Sequence, residues 1–444
     1  LISSSPLIKA VTNVIPLTKM LQHFNVEEKC AETLKSENRN IQVIQDSVVA
    51  LDSTSHLVYT QLGTVMKYKK LCICSGAIPK LIPSSNPFII GIRDTESVKE
   101  FQEKVKSASR IVVVGNGGIA TEIVYELIGV EIIWVIRDKH ISATFIDPGA
   151  SEFFQRHLLK IDGTEKIQSP SKRMKFTVND SEQTENQVGA ALGPDWHSKF
   201  DLKGTLKSGG NLKVEYNCEI KSIISPDNVK GKSNENLSWP VFVELTNNVI
   251  YGCDFIVSAT GVLPNSHFEM KDNKTLISML DGGIKVNDKM ETNLVDVYAA
   301  GDVCSAGWEP APHWFQMRLW TQARQMGMYA AKTMKASLNM EEVYQDFCFE
   351  MFTHVTKFFG YKVVLLGLFN GQTLTNEYEV LLRMTPNKEY IKLVMKNGRL
   401  QGAVLIGETD LEETCENLIL DQLDLTQFGE SLLDPDIDIE DYFD

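Results

Sequence analysis

The chain has 444 residues with 43% hydrophobic and 23% charged side chains, a composition typical of a globular protein of two or three domains. No apolar run reaches the roughly 18 residues that a membrane-spanning helix requires, and no secretory signal peptide is apparent. The net charge of −14 comes from residues 408–444, which hold 14 acidic residues and no basic one, so the remainder is balanced at 44 of each sign. This acidic end argues against direct binding of nucleic acid.

The first 108 residues are predicted to mix helices and strands. The spacing of Leu17, Leu21 and Phe24 predicts a helix over 16–35. The first glycine is Gly63, so the residues before it contain no glycine-rich phosphate loop. Because the sequence begins at Leu1 rather than methionine, we expect upstream residues, with any targeting segment, to be missing from it. Further along, we expect strands over 41–52, 56–63 and 65–76, the last ending at Ser75 and Gly76, and a capped amphipathic helix over 94–108.

The most informative stretch is IVVVGNGGIA, residues 111–120. An apolar run leads into a GxGxxA motif, a helical pattern follows, and a second apolar run covers 132–136. This order of strand, glycine turn, helix and strand is the context in which the motif indicates dinucleotide binding, with phosphates at the helix N-terminus. Gly115 permits the tight turn, Gly117 with Gly118 beside it lets the backbone approach a pyrophosphate, and Ala120 allows close helix–strand packing.

Two charged residues follow the second apolar run of this unit. Arg137 would suit a ribose 2′-phosphate, whereas Asp138 would suit a 2′-hydroxyl. Alternatively, both side chains are simply exposed to solvent, as charged residues at strand ends commonly are. The choice between NADH and NADPH therefore stays open at this point.

The middle of the chain begins with a long polar stretch. Residues 150–237 are interpreted as a surface insertion with partial order around Trp196 and Phe200. Strands are expected again at 239–245 and 253–261, and the second of them ends at Thr260 and Gly261. A hairpin is predicted over 281–290, beginning at Asp281. The next strand, over 295–302, is expected to end at Gly301 and Asp302.

The C-terminal part is predicted to be mixed α and β. A long helix is expected around 313–336, several strands over 345–407, and a helix from Leu411 to Leu425. The tail, 426–444, mixes acidic with large apolar residues, which is compatible with solvated disorder or with docking on a partner.

The eight cysteines are scattered and form no CxxC or CxxxxC motif. Such usage is typical of a reducing intracellular compartment rather than of a disulfide framework. Cys72 and Cys74 are alternate residues of one predicted strand, so both point the same way and an unstrained bridge between them is not expected. The few histidines show no metal-ligand spacing, and we predict no metal site.

Three strand-end motifs surround the GxGxxA unit in a specific order: Ser75-Gly76-Ala77, Ala259-Thr260-Gly261 and Ala299-Ala300-Gly301-Asp302. This arrangement resembles the pyridine nucleotide–disulphide oxidoreductases, flavoproteins with two dinucleotide-binding domains. The resemblance implies an α/β fold in which two Rossmann-like domains, an FAD domain and the NAD(P) domain inserted into it, precede an α+β interface domain. It covers the chain except for residues 150–237 and the tail.

The resemblance also implies domain boundaries. The FAD domain would comprise 1–108 and 266–340, the NAD(P) domain 109–265 with its insertion at 150–237, the interface domain 341–425, and the acidic tail 426–444. The glycine loop that binds the FAD pyrophosphate is not in this sequence, and about 35–40 residues are expected before Leu1 by comparison with the spacing in such folds.

Cofactor-binding roles follow from the same resemblance. Asp302 would accept hydrogen bonds from the ribityl chain of FAD, and Gly301 would leave room beside it; a helix N-cap is the alternative for Asp302. The helix near His313 would aim its N-terminus at the flavin, and Trp314 or Trp320 would cover the ring unless they are core residues. Ser75 and Gly76 would lie at the end of the first FAD segment. Thr260 and Gly261 would lie where the NAD(P) domain returns to the flavin, unless Thr260 is only structural. The residues implied at the nicotinamide dinucleotide are Gly115, Gly117, Gly118, Ala120 and Arg137.

The implied activity is that of an FAD-dependent oxidoreductase, which takes hydride from NAD(P)H and passes electrons to an acceptor. The sequence does not name this acceptor, and disulfides are one candidate. Cys304 is the thiol nearest the FAD motif, and we expect it, like His354, to be structural; no catalytic side chain is identified. Two other hypotheses stay open: a ferredoxin-reductase-like electron donor, and a flavin-containing protective partner. Resemblance to one family member implies that such a partner would protect a tRNA-splicing RNA ligase complex from oxidation, in cytoplasm and nucleus.

Overall fold

The structure is a computed structural model that forms two compact units. The first unit comprises Leu1–Ile78, Leu263–Ala311 and Arg318–Phe349. The second comprises Pro79–Val262, Pro312–Met317 and Glu350–Asp444. The residues that the structure describes are 1–18, 20–158, 172–178, 211–229, 238–375 and 378–434.

The first unit is built from short strands and one long helix, Trp320–Asn339. Leu71–Ile73 pairs in parallel with Val297–Ala299, and Ile284–Val286 pairs in parallel with Cys304–Ala306. Short 3-10 turns occupy Gly301–Val303 and Phe347–Phe349. The other elements of this unit are the strands Ile2–Ser3, Leu7–Leu17, Met20–Cys30, Ile44–Gln45, Val48–Asp52, Leu57–Thr60, Val65–Lys67 and Glu269–Met270, and the helix Ala31–Glu37. Two strands, Ala77–Pro79 and Val262–Pro264, lie where the chain passes between units.

The second unit contains a parallel five-stranded sheet. Its central strand, Arg110–Val114, lies between Phe255–Ser258 and Glu131–Val135, with Ile89–Gly91 and Leu212–Glu215 at the two edges. The central strand is almost completely buried, as a parallel strand covered on both faces should be. The helices are Thr95–Val105, Gly118–Glu126, Pro148–Leu158, Pro226–Val229 and Glu412–Asp421, and a 3-10 turn covers Gly429–Leu433.

A second sheet of this unit has six antiparallel strands, in the order Lys172–Val178, Tyr378–Thr385, Glu389–Lys396, Arg399–Gly407, Tyr361–Gly367 and Thr353–Phe358. A three-stranded antiparallel sheet holds Ile220–Ile224, Val241–Leu245 and Ile250–Cys253. The polar stretch 150–237 thus contributes an edge strand to each of these sheets and another to the parallel sheet. Trp196 and Phe200 lie outside the described residues.

Several predicted elements are confirmed and three need correction. The helix Thr95–Val105 begins after Asp94, whose carboxylate accepts a hydrogen bond from the backbone N–H of Ser97, as the capping prediction requires. The helix predicted over 16–35 is instead two strands of a hairpin, and only Ala31–Glu37 is helical. Met20 and Phe24 are both buried four residues apart, a spacing that fits one face of a strand as well as one face of a helix.

Two further predictions need correction. Residues 281–290 do not form a hairpin, because Ile284–Val286 finds a parallel partner 20 residues downstream. The long helix begins at Trp320 rather than near His313. His313 lies in the six-residue segment that belongs to the second unit, and its ring nitrogen is 3.0 Å from the side-chain oxygen of Gln401.

One ion pair with a buried lysine connects the antiparallel sheet of the second unit to the start of the helix Pro148–Leu158. Lys392, in the antiparallel sheet, lies with its Nζ 2.8 Å from Oδ2 of Asp147, which precedes the helix Pro148–Leu158. Oδ1 of Asp147 accepts hydrogen bonds from the Tyr390 hydroxyl at 2.7 Å and from the Gly149 N–H at 2.9 Å. Burial opposes ionisation of this carboxyl, but the charge of Lys392 and these hydrogen bonds outweigh it and lower its pKa.

We expect Lys392→Met to lower the free energy of unfolding by about 3 kcal/mol, because it leaves the Asp147 carboxylate buried without its counter-charge. Asp147→Asn combined with Lys392→Met should recover part of the loss. Because the folded pKa of Asp147 lies below its unfolded value, the pair stabilises at neutral pH and its contribution disappears in acid, as the pH falls through the folded pKa. Urea unfolding at several pH values measures this.

A matched control is the exposed pair of Lys271 and Glu269, whose charged atoms are 2.5 Å apart. Lys271→Met should change stability by no more than about 1 kcal/mol, since solvent screens such pairs. Equal losses for the two lysine variants would show that burial does not strengthen the Asp147 pair.

Candidate functional site

The glycine loop begins directly after the central strand of the parallel sheet. Gly115 has a φ of +128°, and a Cβ there would lie 2.1 Å from the carbonyl oxygen of Ala259. The loop therefore approaches the end of the returning strand Phe255–Ser258 so closely that no side chain fits between them. Gly115 serves this contact as well as the turn that the sequence predicts.

The next glycine serves a different purpose. Gly117 is the N-cap of the helix Gly118–Glu126, and a Cβ at Gly117 would meet nothing within 4 Å. No side chain caps this helix, so its first N–H groups face the space beside Gly117. Ala120 is completely buried, as expected for close helix–strand packing. A phosphate group fits this arrangement of open space and uncapped N–H groups.

A cavity of about 360 Å³ borders the loop, and all its lining residues belong to the second unit. On the far side from the helix, Thr260 donates a hydrogen bond to the Lys80 carbonyl at 2.7 Å, and the Lys80 N–H donates to the Gly261 carbonyl at 2.9 Å. Thr260 and Gly261 therefore line the cavity and also fix the segment that follows Pro79. Lys80 was not predicted from the sequence to line this cavity.

The end of the second strand supplies the charged wall of this cavity. Arg137 is exposed and lines it, as does Asp138. Oδ2 of Asp138 accepts a hydrogen bond from Nδ2 of Asn116 at 2.7 Å, and the same amide donates to the His140 carbonyl at 2.9 Å. Asn116, the residue between two glycines of the motif, thus ties the loop to the segment after the strand. No sequence pattern indicated that Asn116 would connect these two segments.

The second pair of motifs meets in the first unit. Because Leu71–Ile73 and Val297–Ala299 are parallel neighbours, Ser75 and Gly76 emerge at the same sheet edge as Gly301 and Asp302. Ser75 donates to the Asn265 carbonyl at 2.6 Å. Gly301, with a φ of +79°, starts a 3-10 turn in which Asp302 is only 7% exposed.

Comparison with known proteins places this arrangement in context. The pyridine nucleotide-disulphide oxidoreductase family model matches residues 5–186 and 204–327, and the model of the rubredoxin NAD+ reductase C-terminal domain matches residues 354–423. The mouse pyridine nucleotide-disulfide oxidoreductase domain-containing protein 1 is 50% identical over 465 residues, which cover 100% of this chain and 93% of the mouse protein. The chain belongs to the pyridine nucleotide-disulphide oxidoreductase family.

Solved structures confirm the fold of the family. The covalent putidaredoxin reductase–putidaredoxin complex aligns with a TM-score of 0.61 at 13% identity, covering 88% of this chain and 78% of that chain. An FAD-dependent pyridine nucleotide-disulphide oxidoreductase from Desulfovibrio vulgaris aligns with a TM-score of 0.59 at 16% identity, covering 91% of this chain and 93% of that chain. The predicted α/β fold with two dinucleotide-binding domains and a C-terminal domain is confirmed.

As a member of this family, the chain is an FAD-dependent NAD(P)H oxidoreductase with FAD and NAD(P)H as cofactors.

The first unit contains buried polar atoms that suit a bound flavin nucleotide. Nε1 of Trp320 and Oγ1 of Thr321 are buried, with no hydrogen-bond partner among the described residues. Both residues begin the helix Trp320–Asn339, which no side chain caps. The helix packs beside Gly301, where a Cβ would lie 3.4 Å from that of Ala323. Buried donors normally find a partner, and a flavin nucleotide would supply one here. Trp314, the other predicted ring cover, belongs to the second unit.

The eight cysteines, all among the described residues, form no disulfide. Cys304 is completely buried, its thiol donates to the Gly301 carbonyl at 3.2 Å, and burial raises its pKa to about 12. The sulfurs of Cys72 and Cys74 lie 3.5 Å apart, close enough for a hydrogen bond but not bonded covalently. That hydrogen bond raises the pKa of Cys72 and lowers the pKa of Cys74.

His354 lies on the edge strand Thr353–Phe358 of the six-stranded sheet. Its ring is 6.0 Å from that of Phe145, and burial lowers its pKa to about 4. The imidazole is therefore neutral at physiological pH. Within the described part of the chain, no group of three or more metal-ligating side chains converges, and no helix is long and apolar enough to cross a membrane.

Alanine substitutions of the two loop glycines should have different effects, one on NAD(P)H binding and the other on stability. Gly117→Ala should leave folding intact, because the new Cβ meets no protein atom, yet weaken NAD(P)H binding by filling the space for the pyrophosphate. Gly115→Ala should destabilise the fold by about 1–3 kcal/mol, because of its positive φ and the contact with Ala259. Thermal melting without ligand and titration with NADPH separate the effects. Normal NADPH affinity in Gly117→Ala would place the pyrophosphate elsewhere.

Proposed function

We propose that this chain passes electrons from NAD(P)H, by way of FAD, to an external acceptor without a protein thiol in the path. FAD, when bound, supplies the two-electron chemistry that amino-acid side chains lack. The burial of Cys304 is the observation that supports the proposal most directly. This thiol follows Asp302 by two residues, yet its raised pKa keeps it protonated, whereas thiol chemistry requires the thiolate.

The Cys72–Cys74 pair is the other candidate for a redox thiol. The lowered pKa of Cys74 favours its thiolate. However, a bridge between alternate residues of one strand must close a very small ring around Ile73, at the cost of strain. We therefore assign the pair no part in the electron path, and the experiment below tests this directly.

The remaining side chains bind and orient the two cofactors. In this proposal the uncapped N–H groups after Gly117 hold the pyrophosphate of the nicotinamide dinucleotide. Asp302, as an acceptor-only carboxylate, binds hydroxyl groups of FAD, and Gly301 keeps the space beside it clear. Trp320 and Thr321 donate to polar atoms of the flavin nucleotide.

The test is the visible spectrum of the full-length protein, with any residues that precede Leu1 included, loaded with FAD, before and after anaerobic mixing with NADPH or NADH, followed by a small disulfide or a quinone. We expect the flavin bands to bleach and then return at the same rates in the wild type, Cys304→Ala and the double variant Cys72→Ser/Cys74→Ser. Bleaching without return on adding the disulfide, in the double variant alone, would place that pair in the path. A full-length wild-type protein, with any residues that precede Leu1 included, that takes up no flavin would overturn the proposal altogether.

For the nicotinamide cofactor we propose that Arg137 favours NADPH. Both residues line the cavity, and only the exposed Arg137 guanidinium carries the positive charge that complements a 2′-phosphate. The Asp138 carboxylate, held against the loop by its hydrogen bond from Asn116, would repel that group. Arg137→Ala should raise the Kd of NADPH about tenfold and leave that of NADH nearly unchanged, because only NADPH offers a 2′-phosphate to the guanidinium. Asp138→Asn is the matched control. A weaker affinity for NADH in that control, with no change for Arg137→Ala, would reverse the assignment.

A ferredoxin-reductase-like role is the first alternative. It is favoured by the match of residues 354–423 to the C-terminal domain model of rubredoxin NAD+ reductase. Rapid NADPH-dependent reduction of a small iron–sulfur protein, with little turnover of disulfides, would favour this role over the main proposal.

A protective role is the second alternative, in which the flavin-loaded protein shields a tRNA-splicing RNA ligase complex from oxidation in cytoplasm and nucleus. It is supported by the absence of a CxxC or CxxxxC motif and by the mixed acidic and apolar composition of the tail, 426–444. A flavin that stays reduced in air after NADPH addition, together with loss of ligase protection on deletion of the tail, would favour it.

A further inference from the structure

Arg318 is a buried cation in the first unit, two residues before the helix Trp320–Asn339. Its side chain is only 5% exposed. Nε donates to the backbone carbonyl of Asp302 at 2.8 Å, and Nη2 donates to Oδ2 of Asp281 at 2.5 Å. One guanidinium thus connects the Asp302 turn with a second carboxylate. No sequence motif indicated it.

The second carboxylate is held in place by its own neighbours. Ser305 donates to Asp281 at 2.7 Å, and the backbone N–H of Gly283 donates to its Oδ1 at 3.1 Å. Partial burial opposes ionisation, but the bonds from Ser305 and Arg318 outweigh it and lower the pKa of Asp281. Asp281 is therefore a fixed anion that neutralises Arg318 and orients it.

The cluster leaves no spare volume. A Cβ at Gly283 would lie 2.0 Å from Oγ of Ser305 and 2.9 Å from Nη2 of Arg318. Ser305 lies in the strand Cys304–Ala306, and Gly283 directly precedes its parallel partner Ile284–Val286. This pair of strands therefore fixes the position of the Asp281 carboxylate. The Asp302 turn is consequently tied through Arg318 to a regular part of the sheet.

We propose that Arg318 is a positioning residue for FAD binding, which fixes the Asp302 turn so that the Asp302 carboxylate is presented to the cofactor. The inference rests on the proposed role of Asp302. Arg318 acts from behind the turn, through the backbone carbonyl of Asp302. Asp281 and Ser305 in turn hold the guanidinium.

The geometry requires arginine rather than lysine. The planar guanidinium offers several N–H groups in fixed directions, so it can reach a carbonyl and a carboxylate at once. A lysine ammonium is a single point charge, and it would remain with Asp281 and release the Asp302 carbonyl. Arg318→Lys therefore keeps the charge and removes the geometric link.

A merely structural arginine would behave differently. Its loss would weaken the fold and reduce FAD affinity by the same factor whatever residue stands at 302. A positioning arginine acts only through Asp302, so its effect on affinity should vanish once that carboxylate has been removed. A double-mutant cycle on FAD affinity distinguishes the two.

The experiment uses the full-length protein, with any residues that precede Leu1 included, and measures the Kd of FAD for the wild type, for Arg318→Lys, for Asp302→Asn and for the double variant, with melting of the FAD-free proteins as a check on folding. We expect Arg318→Lys to weaken FAD binding about tenfold, the effect of losing one charge-assisted hydrogen bond, and to add almost nothing in the Asp302→Asn background. If Arg318→Lys does not fold, Asp281→Asn replaces it in the same cycle. Arg324→Lys, in the first turns of the helix that follows Arg318, is the control and should bind FAD normally.

The outcomes separate the inference from the proposal beneath it. An equal loss of affinity from Arg318→Lys in both backgrounds, or no loss in either, would overturn the positioning role. Normal FAD binding by Asp302→Asn would instead show that Asp302 is not a cofactor ligand, and the proposed function of that turn would fail whatever Arg318 does.

Discussion

The cavity beside the glycine loop depends on one close backbone contact. The loop after the central strand passes so near Ala259 that only a glycine is possible at position 115. This contact holds the loop against the end of the returning strand, and that strand end carries Thr260 and Gly261. The open space beside Gly117 lies next to a rigid edge of the sheet as a result. A binding loop with a fixed backbone loses little conformational entropy when a ligand arrives.

Two ion pairs, each with a buried cation, hold loop segments in place. Asp147 with Lys392 and Asp281 with Arg318 share one design, in which a carboxylate accepts backbone N–H bonds on its own segment and pairs with a cation from a distant one. The hydrogen bonds compensate the cost of burying the charge. Because a lone buried charge is so unfavourable, each pair strongly favours one arrangement of the two segments. Position, more than net stability, is what such a pair supplies.

The sequence predicted those features that depend on local patterns. The glycine loop, the helix after Asp94 and the apolar strands before Gly115 and Gly301 follow from spacing within a few residues. Its errors arose where pairing between strands decides the structure. Met20 and Phe24 fit both periodicities, and only their strand partner selects one. Asp147 and Lys392 are 245 residues apart in the chain, and no local pattern in either segment marks them as a pair.

Family membership fixes the cofactors of this chain more firmly than its acceptor. A dithiol that relays electrons must be accessible and easily ionised at one sulfur. Cys304 fails both conditions, since its thiol is buried and donates to the Gly301 carbonyl within the turn that carries Asp302. That hydrogen bond helps to shape the turn that carries Asp302, and the same burial makes the thiol unreactive. A cysteine beside a flavin motif is therefore no evidence of disulfide chemistry by itself. In this chain the acceptor must be sought by experiments on the flavin.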